Sequence, residues 1–347
     1  MKIVNPQKII IRTPNWLGDL IMAIPAFNAI KQKFTRAEIT LLIKKPLVKT
    51  LNNSTFFNNI IEFDPENLHR GVKGFIRLLG ELRKENFDLC ILFPKSFSSA
   101  IIFFLSGINI RWGFNCNARG FMLTNKIPLP DKIIPMVDLY LNLVEGLTGG
   151  CQEKSFTLST SHEEKMRLEN IFFQHNMNNQ KIISIIPGAS FGSSKCWKEE
   201  YFSRLADYLI GEYKAQILIL PGPGEEGIAR EIAGKMENNC VVIADPPLPL
   251  DMLKAAIEKS WLVISNDTGP RHIAAALQKP VVVIIGSTDP GYTDYEYDKK
   301  LIIRKELDCS PCHLKSCPKE HDCMKLITPE EVFSRIKDFV GKRSMEM

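Results

Sequence analysis

At 347 residues the chain is long for one compact domain and well suited to two, each with its own core. Its 45% hydrophobic and 24% charged residues describe a globular protein, and the longest apolar run, Ala100–Leu105, is far short of the ~20 residues that a membrane-spanning helix needs. A net charge of +5 suits a phosphate-bearing ligand or an acidic membrane surface and is too small to indicate nucleic acid.

The first residues, Met-Lys-Ile-Val-Asn-Pro-Gln-Lys, show no apolar signal-peptide core, so a cytoplasmic location is expected. There the nine cysteines are expected to be thiols rather than a disulfide framework. Short β-branched runs at Ile9–Arg12, Ile39–Ile43, Ile60–Phe63 and Asp88–Phe93 read as strands. Between them Leu20, Ala23, Ile24, Phe27 and Ile30 mark one face of a helix, in which Pro25 signals a kink or the true start. Further helices are predicted over Val72–Glu85 and Met136–Leu147.

The polar stretch Thr148–His162 reads as a linker. Strands then resume at Ile182–Ile186, Gln216–Leu220, Val241–Ile243, Trp261–Ile264 and Val281–Ile285. Helical patterns fill 199–211, 225–238, 250–258 and 270–278, with a last helix over Pro329–Val340. This alternation predicts an α/β protein of two Rossmann-like halves.

Small, polar and charged residues follow the strands where helices begin. They stand at Thr13–Asp19, Pro187–Gly192, Pro221–Glu226, Ser265–Gly269 and Gly286–Thr288. In open parallel sheets ligands bind beyond the carboxyl ends of the strands, and helix N-termini there offer N–H groups to anions. Four of the five loops lie in the second half, which is therefore expected to hold a phosphate-bearing ligand. None has the glycine spacing of a dinucleotide fingerprint or a P-loop. Gly188-Ala189-Ser190-Phe191-Gly192 does spell G-x-S-x-G, with Asp267 and His272 following in α/β-hydrolase order. A nucleophile elbow needs a helix straight after the serine, however, and helical spacing resumes only near Tyr201.

Those loops carry a resemblance. Trp16-Leu17-Gly18-Asp19, Pro187–Gly192 with Lys195 and Trp197, Asn266-Asp267-Thr268-Gly269 with His272, and a cysteine-rich tail together resemble the lipopolysaccharide heptosyltransferases of glycosyltransferase family 9, most closely the heptosyltransferase II group. Cys196 and Arg271 depart from the family pattern. The resemblance implies a GT-B architecture, two Rossmann-like domains with a cleft between them. Residues 1–160 would bind the acceptor and 161–327 the nucleotide sugar, with a terminal piece, 328–347, that can return to the first domain. It implies an inverting transfer of heptose from ADP-heptose to the heptosyl-Kdo-lipid A core at the inner face of the inner membrane, with no cofactor required. The alternatives are heptosyltransferases I and III, a nucleotide-sugar epimerase and, remotely, a hydrolase.

By the same resemblance Asp19 is the base, with helix capping as its alternative role, and Lys195 clamps the diphosphate, with a surface lysine as the alternative. Glu225, or its neighbour Glu226, holds the ribose. Thr268 and Gly269 offer phosphate their N–H groups, Asp267 lies near the sugar hydroxyls, and His272 contacts the ligand or packs its helix. Ser190 and Gly222 complete the donor set. Asn15, Trp16 and Arg119 are assigned to the acceptor, whose anionic groups Lys44, Lys45 and Arg111 would also attract. Cys309, Cys312, Cys317 and Cys323 read as thiols in a packed loop, with a structural zinc site as the alternative.

Overall fold

The computed structural model describes residues 5–150, 153–154, 156–177, 181–293 and 295–344. Cys151, Gln152 and Ser155 of the expected linker lie outside them. The chain forms two compact units, Met1–Phe156 with Gly291–Tyr295, and Thr157–Pro290 with Glu296–Met347.

In the first unit β1 (Lys8–Arg12) leads into α1 (Leu17–Met22) and α2 (Ile24–Lys33). Pro25 stands in the first turn of α2, where a missing N–H costs nothing, so it marks a start and not a kink. There follow β2 (Glu38–Lys44), β3 (Asn59–Phe63), α3 (Gly71–Lys84), β4 (Leu89–Leu92) and α4 (Phe97–Leu105). β5 (Ile110–Phe114), β6 (Asn125–Ile127) and α5 (Met136–Thr148) complete the unit. The strands form one parallel sheet in the order β3-β2-β1-β4-β5-β6. Ile9, Ile10 and Ile11 are fully buried, as a central parallel strand covered on both faces requires. Leu78, Leu82, Ile102 and Phe103 bring α3 and α4 together over one face, while α2 packs on α5.

The second unit opens with α6 (His162–Gln174), whose Ser161 and Glu164 form a reciprocal capping box. Then come β7 (Ile182–Ile186), α7 (Glu199–Tyr213), β8 (Gln216–Ile219), α8 (Glu226–Lys235), β9 (Val241–Val242) and α9 (Leu250–Lys259). They are followed by β10 (Leu262–Asn266), α10 (Gly269–Ala276), β11 (Val281–Ile285), β12 (Lys300–Arg304), α11 (Asp322–Lys325) and α12 (Pro329–Ser344). The parallel sheet runs β12-β11-β10-β7-β8-β9. α12, for which a return to the first domain is one expectation, lies on α7 and β12 and sends Val332 and Ile336 into the core of the second unit.

Both sheets share one order: the first strand of each unit pairs with the fourth, β1 with β4 and β7 with β10. At that seam the chain departs in opposite directions, leaving a crevice at the carboxyl ends where such sheets receive ligands. Among the described residues no helix is long and apolar enough to cross a membrane.

Candidate functional site

In the second unit the loops after β7 and β10 meet at Asp267, one residue past the end of β10. Lys195, on a 3-10 turn over Ser193–Lys195, places Nζ 3.0 Å from both the Asp267 backbone oxygen and Oδ2. Nε of Arg271, one turn into α10, lies 3.0 Å from Oδ1, and the hydroxyl of Thr288, from the loop after β11, donates to Oδ2. Burial alone would raise the Asp267 carboxyl, but Arg271, Lys195 and Thr288 outweigh it and hold it well below the usual carboxylate range. Two cations and one carboxylate leave a net positive charge beside the N-terminus of α10, which itself favours an anion. Burial first, and then Arg271, push the His272 imidazole well below its ordinary value, so it is neutral at pH 7.

The β7 loop is held from several sides. Asn266, the last residue of β10, gives its amide to the Pro187 carbonyl and accepts from the Trp197 backbone N–H at 3.1 Å. The Trp197 indole is buried and donates to the Ile327 carbonyl at 2.8 Å. Glu225, at the start of α8, turns its carboxylate back over the loop and accepts from the Gly222 N–H at 2.8 Å. Its pKa is raised by burial, against the lowering by that N–H. The Cys196 thiol is pushed up to about 11 by burial and then by Glu225.

The cysteine-rich segment braces the same loops. The Lys315 carbonyl accepts from the Ser194 N–H at 3.1 Å, and His321 Nε2 is 2.9 Å from the Ser194 carbonyl. The carbonyl of Ser287, two residues past β11, accepts from the N–H groups of Cys312 and His313 at 3.1 and 2.8 Å. Gly192, at φ +152°, lies so close to the Lys315 backbone that a side chain there has no room. Cys309, Cys312, Cys317 and Cys323 are free thiols, and among the described residues no three His, Cys, Asp or Glu side chains are arranged to hold a metal ion.

In the first unit Asp19 is the third residue of α1 and does not cap it; Trp16 holds the N-cap position, without a side-chain bond. Asp19 is part-buried, and its charge, after burial itself, raises the pKa of Tyr140 on α5. Trp16 is 60% exposed. Asn15 accepts from the buried Arg12 guanidinium at 2.5 Å, and Arg12 also donates to the Thr13 and Leu42 carbonyls at 3.1 Å.

Sequence reasoning is corrected at Arg119. The side chain is fully buried and donates to the carbonyls of Phe114 at 2.9 Å and Ser96 at 3.3 Å, and to Pro94. It ties the loops after β4 and β5 together and presents no charge to an acceptor. Arg111 is likewise turned onto the carbonyls of Met122, Ile108 and Asn109. Asp267, expected near sugar hydroxyls, is engaged by Lys195, Arg271 and Thr288 and so positions the lysine. His272 is buried within α10, and Ser190 is exposed. Thr268 is the N-cap of α10 and Gly269 its first residue. The hydrolase alternative fails on geometry: after Ser190 the chain makes a 3-10 turn, and α7 begins only at Glu199. Arg271 and Thr288 are the partners that sequence reasoning missed, although the first stood out as a departure from the family pattern.

The model of glycosyltransferase family 9 (heptosyltransferase) matches residues 75–322. Lipooligosaccharide heptosyltransferase 2 of Campylobacter jejuni is 30% identical over 342 residues, 95% of this chain and 98% of its own length. The solved structure of E. coli ADP-heptose LPS heptosyltransferase II superposes with a TM-score of 0.80 at 24% identity, covering 97% of this chain and 99% of the other. A family 9 glycosyltransferase structure from Veillonella parvula gives a TM-score of 0.85 at 19% identity, covering 97% and 98%. Two parallel sheets of shared strand order match the halves of a GT-B fold, and the chain belongs to glycosyltransferase family 9, the heptosyltransferases.

Proposed function

We propose that the protein transfers heptose from ADP-heptose to a heptosyl-Kdo-lipid A acceptor at the inner face of the inner membrane, with inversion at the anomeric carbon. Residues 1–160 serve the acceptor and 161–327 the donor. An acceptor hydroxyl oxygen attacks the anomeric carbon, the bond to the diphosphate oxygen breaks, and ADP leaves with the bonding pair. The hydroxyl proton passes to the Asp19 carboxylate. Lys195 and the N–H groups at the start of α10 stabilise the charge that grows on the diphosphate. Glu225 accepts from the ribose hydroxyls.

One observation carries the reading: Lys195 is fixed by Asp267 at a helix N-terminus on the sheet seam, so a cation stands ready without reorganisation. That supply of positive charge makes a metal unnecessary for the chemistry. The likeness to heptosyltransferases 2 over nearly the whole chain supports the substrates. Purified enzyme, given ADP-heptose, should release ADP with heptose-bearing Kdo-lipid A or its delipidated sugar and not with heptose-free Kdo-lipid A. The reverse preference would assign it to heptosyltransferase I.

A further inference from the structure

The α3–α4 face of the first unit shows apolar side chains where an α/β domain ordinarily shows polar ones. α4 is apolar on both sides. Ala100, Ile102 and Phe103 enter the core, while Phe97, Phe104 and Leu105 are exposed with Ile101 half-buried between them. The outward residues recur at i, i+4, i+7 and i+8, one continuous helical stripe. Phe121, on the 3-10 turn over Gly120–Met122, joins it and is 66% exposed. Its ring centroid is 6.3 Å from Phe97 and 6.1 Å from Phe104. Three phenylalanines in contact on the surface are a patch, not scattered single residues.

α3 lies beside this stripe and exposes Lys73, Arg77, Arg83 and Lys84, with Arg70 just before it, and among them the apolar Val72 and Ile76. Arg83 links the two helices by donating to the Leu105 carbonyl at 2.7 Å. The nearby acids are engaged, Glu81 with Arg77 and His69, and Glu85 with Lys8. The face is therefore apolar at one side and mixed, cationic with two exposed apolar side chains, at the other. Pairing it with a second copy of itself would oppose like charges, whereas an anionic bilayer satisfies both halves.

We propose that this face docks on an anionic membrane, with Phe97, Phe104 and Phe121 entering the interfacial layer and the α3 cations meeting lipid phosphates. The inference rests on the reading above in one respect: a lipid-borne acceptor brings the enzyme to a bilayer. Co-sedimentation of the 347-residue protein with phosphatidylcholine vesicles, with and without phosphatidylglycerol, tests it. The wild type should bind the anionic vesicles, and less so in high salt. The double variant Phe104→Ser, Phe121→Ser should lose roughly 10-fold or more in partitioning, the scale of withdrawing large apolar side chains. Lys73→Gln with Lys84→Gln should lose binding through charge. Both variants, lying on the surface, should keep the wild-type melting temperature and turnover on a delipidated acceptor.

Absence of wild-type binding to anionic vesicles would overturn the proposal, as would variants that bind like the wild type. A dimer that the phenylalanine variant splits, with vesicle binding unaltered, would assign the patch to a second copy instead. Vesicle binding lost in the variants, from an enzyme that transfers to no heptosyl acceptor, would keep the surface and defeat the functional reading alone.

Discussion

The carboxylate of Glu225 lies directly on Gly188: a Cβ built at position 188 would overlap both carboxylate oxygens, and one at Gly222 would come within 2.9 Å of Oε2. The glycines after β7 and β8 are thus the floor on which this carboxylate rests. Gly188→Ala should displace Glu225 and reproduce the effect of Glu225→Gln on the nucleotide. Calorimetric titration with ADP should show both variants weaker by roughly 10-fold or more, the scale of one lost hydrogen bond to a charged group. Unchanged affinity in Glu225→Gln would remove this residue from the donor site.

Asp19 lies in the first turn of α1, one residue after Gly18, and the base role proposed for it makes a direct prediction. Asp19→Asn should bind ADP as the wild type does and lose transfer by roughly 100-fold or more. Single-turnover measurements separate the two effects, and near-normal turnover would exclude the base role.

Lys195→Ala should weaken the nucleotide sugar and slow transfer together, because the diphosphate gains charge as the bond breaks. The same argument predicts that activity survives EDTA. Loss with EDTA, restored by Mg²⁺, would contradict a clamp made of lysine and N–H groups alone.

The site should also leave a mark on acid stability. Asp267 is held below its unfolded value, so the native state releases this proton more readily than the unfolded chain does. Its stabilisation is complete above about pH 4, the unfolded value, and fades as pH falls further toward the folded value. His272 is shifted in the same direction from a higher start: the unfolded chain takes up its proton below about pH 6.5 while the folded chain resists. Thermal melts should show His272→Gln losing less stability than the wild type between pH 7 and 5. Asp267→Asn should be destabilised at pH 7, where it leaves Arg271 buried without its counter-charge, and should approach the wild type below pH 4. Parallel pH profiles for all three proteins would refute both assignments.

The sheets were legible wherever β-branched runs were unbroken, as in Ile9–Arg12 and Val281–Ile285. β5 escaped because it reads Ile-Arg-Trp-Gly-Phe, its guanidinium satisfied by carbonyls that Arg111 reaches only after folding. β6 is three residues long, and β12 is bounded by Lys300 and Arg304. α6 was lost in a polar stretch, although its capping box was spelled out at Ser161 and Glu164. The site loops were found by their glycines and acids. What each side chain does within them was not, because Arg119 and Asp267 combine near partners, Phe114 and Arg271, with Ser99, Lys195 and Thr288, which lie 20 or more residues away and which no local pattern records.

The bracing of Ser194 by Lys315 and His321 sets an order of events during synthesis. The turn that carries Lys195 emerges from the ribosome more than a hundred residues before the segment that fastens it. β7, β8 and β10 can pair while this turn is still loose. Its lysine can come to rest only when nearly the whole polypeptide has been made, so this loop matures late, after the strands that carry it have paired.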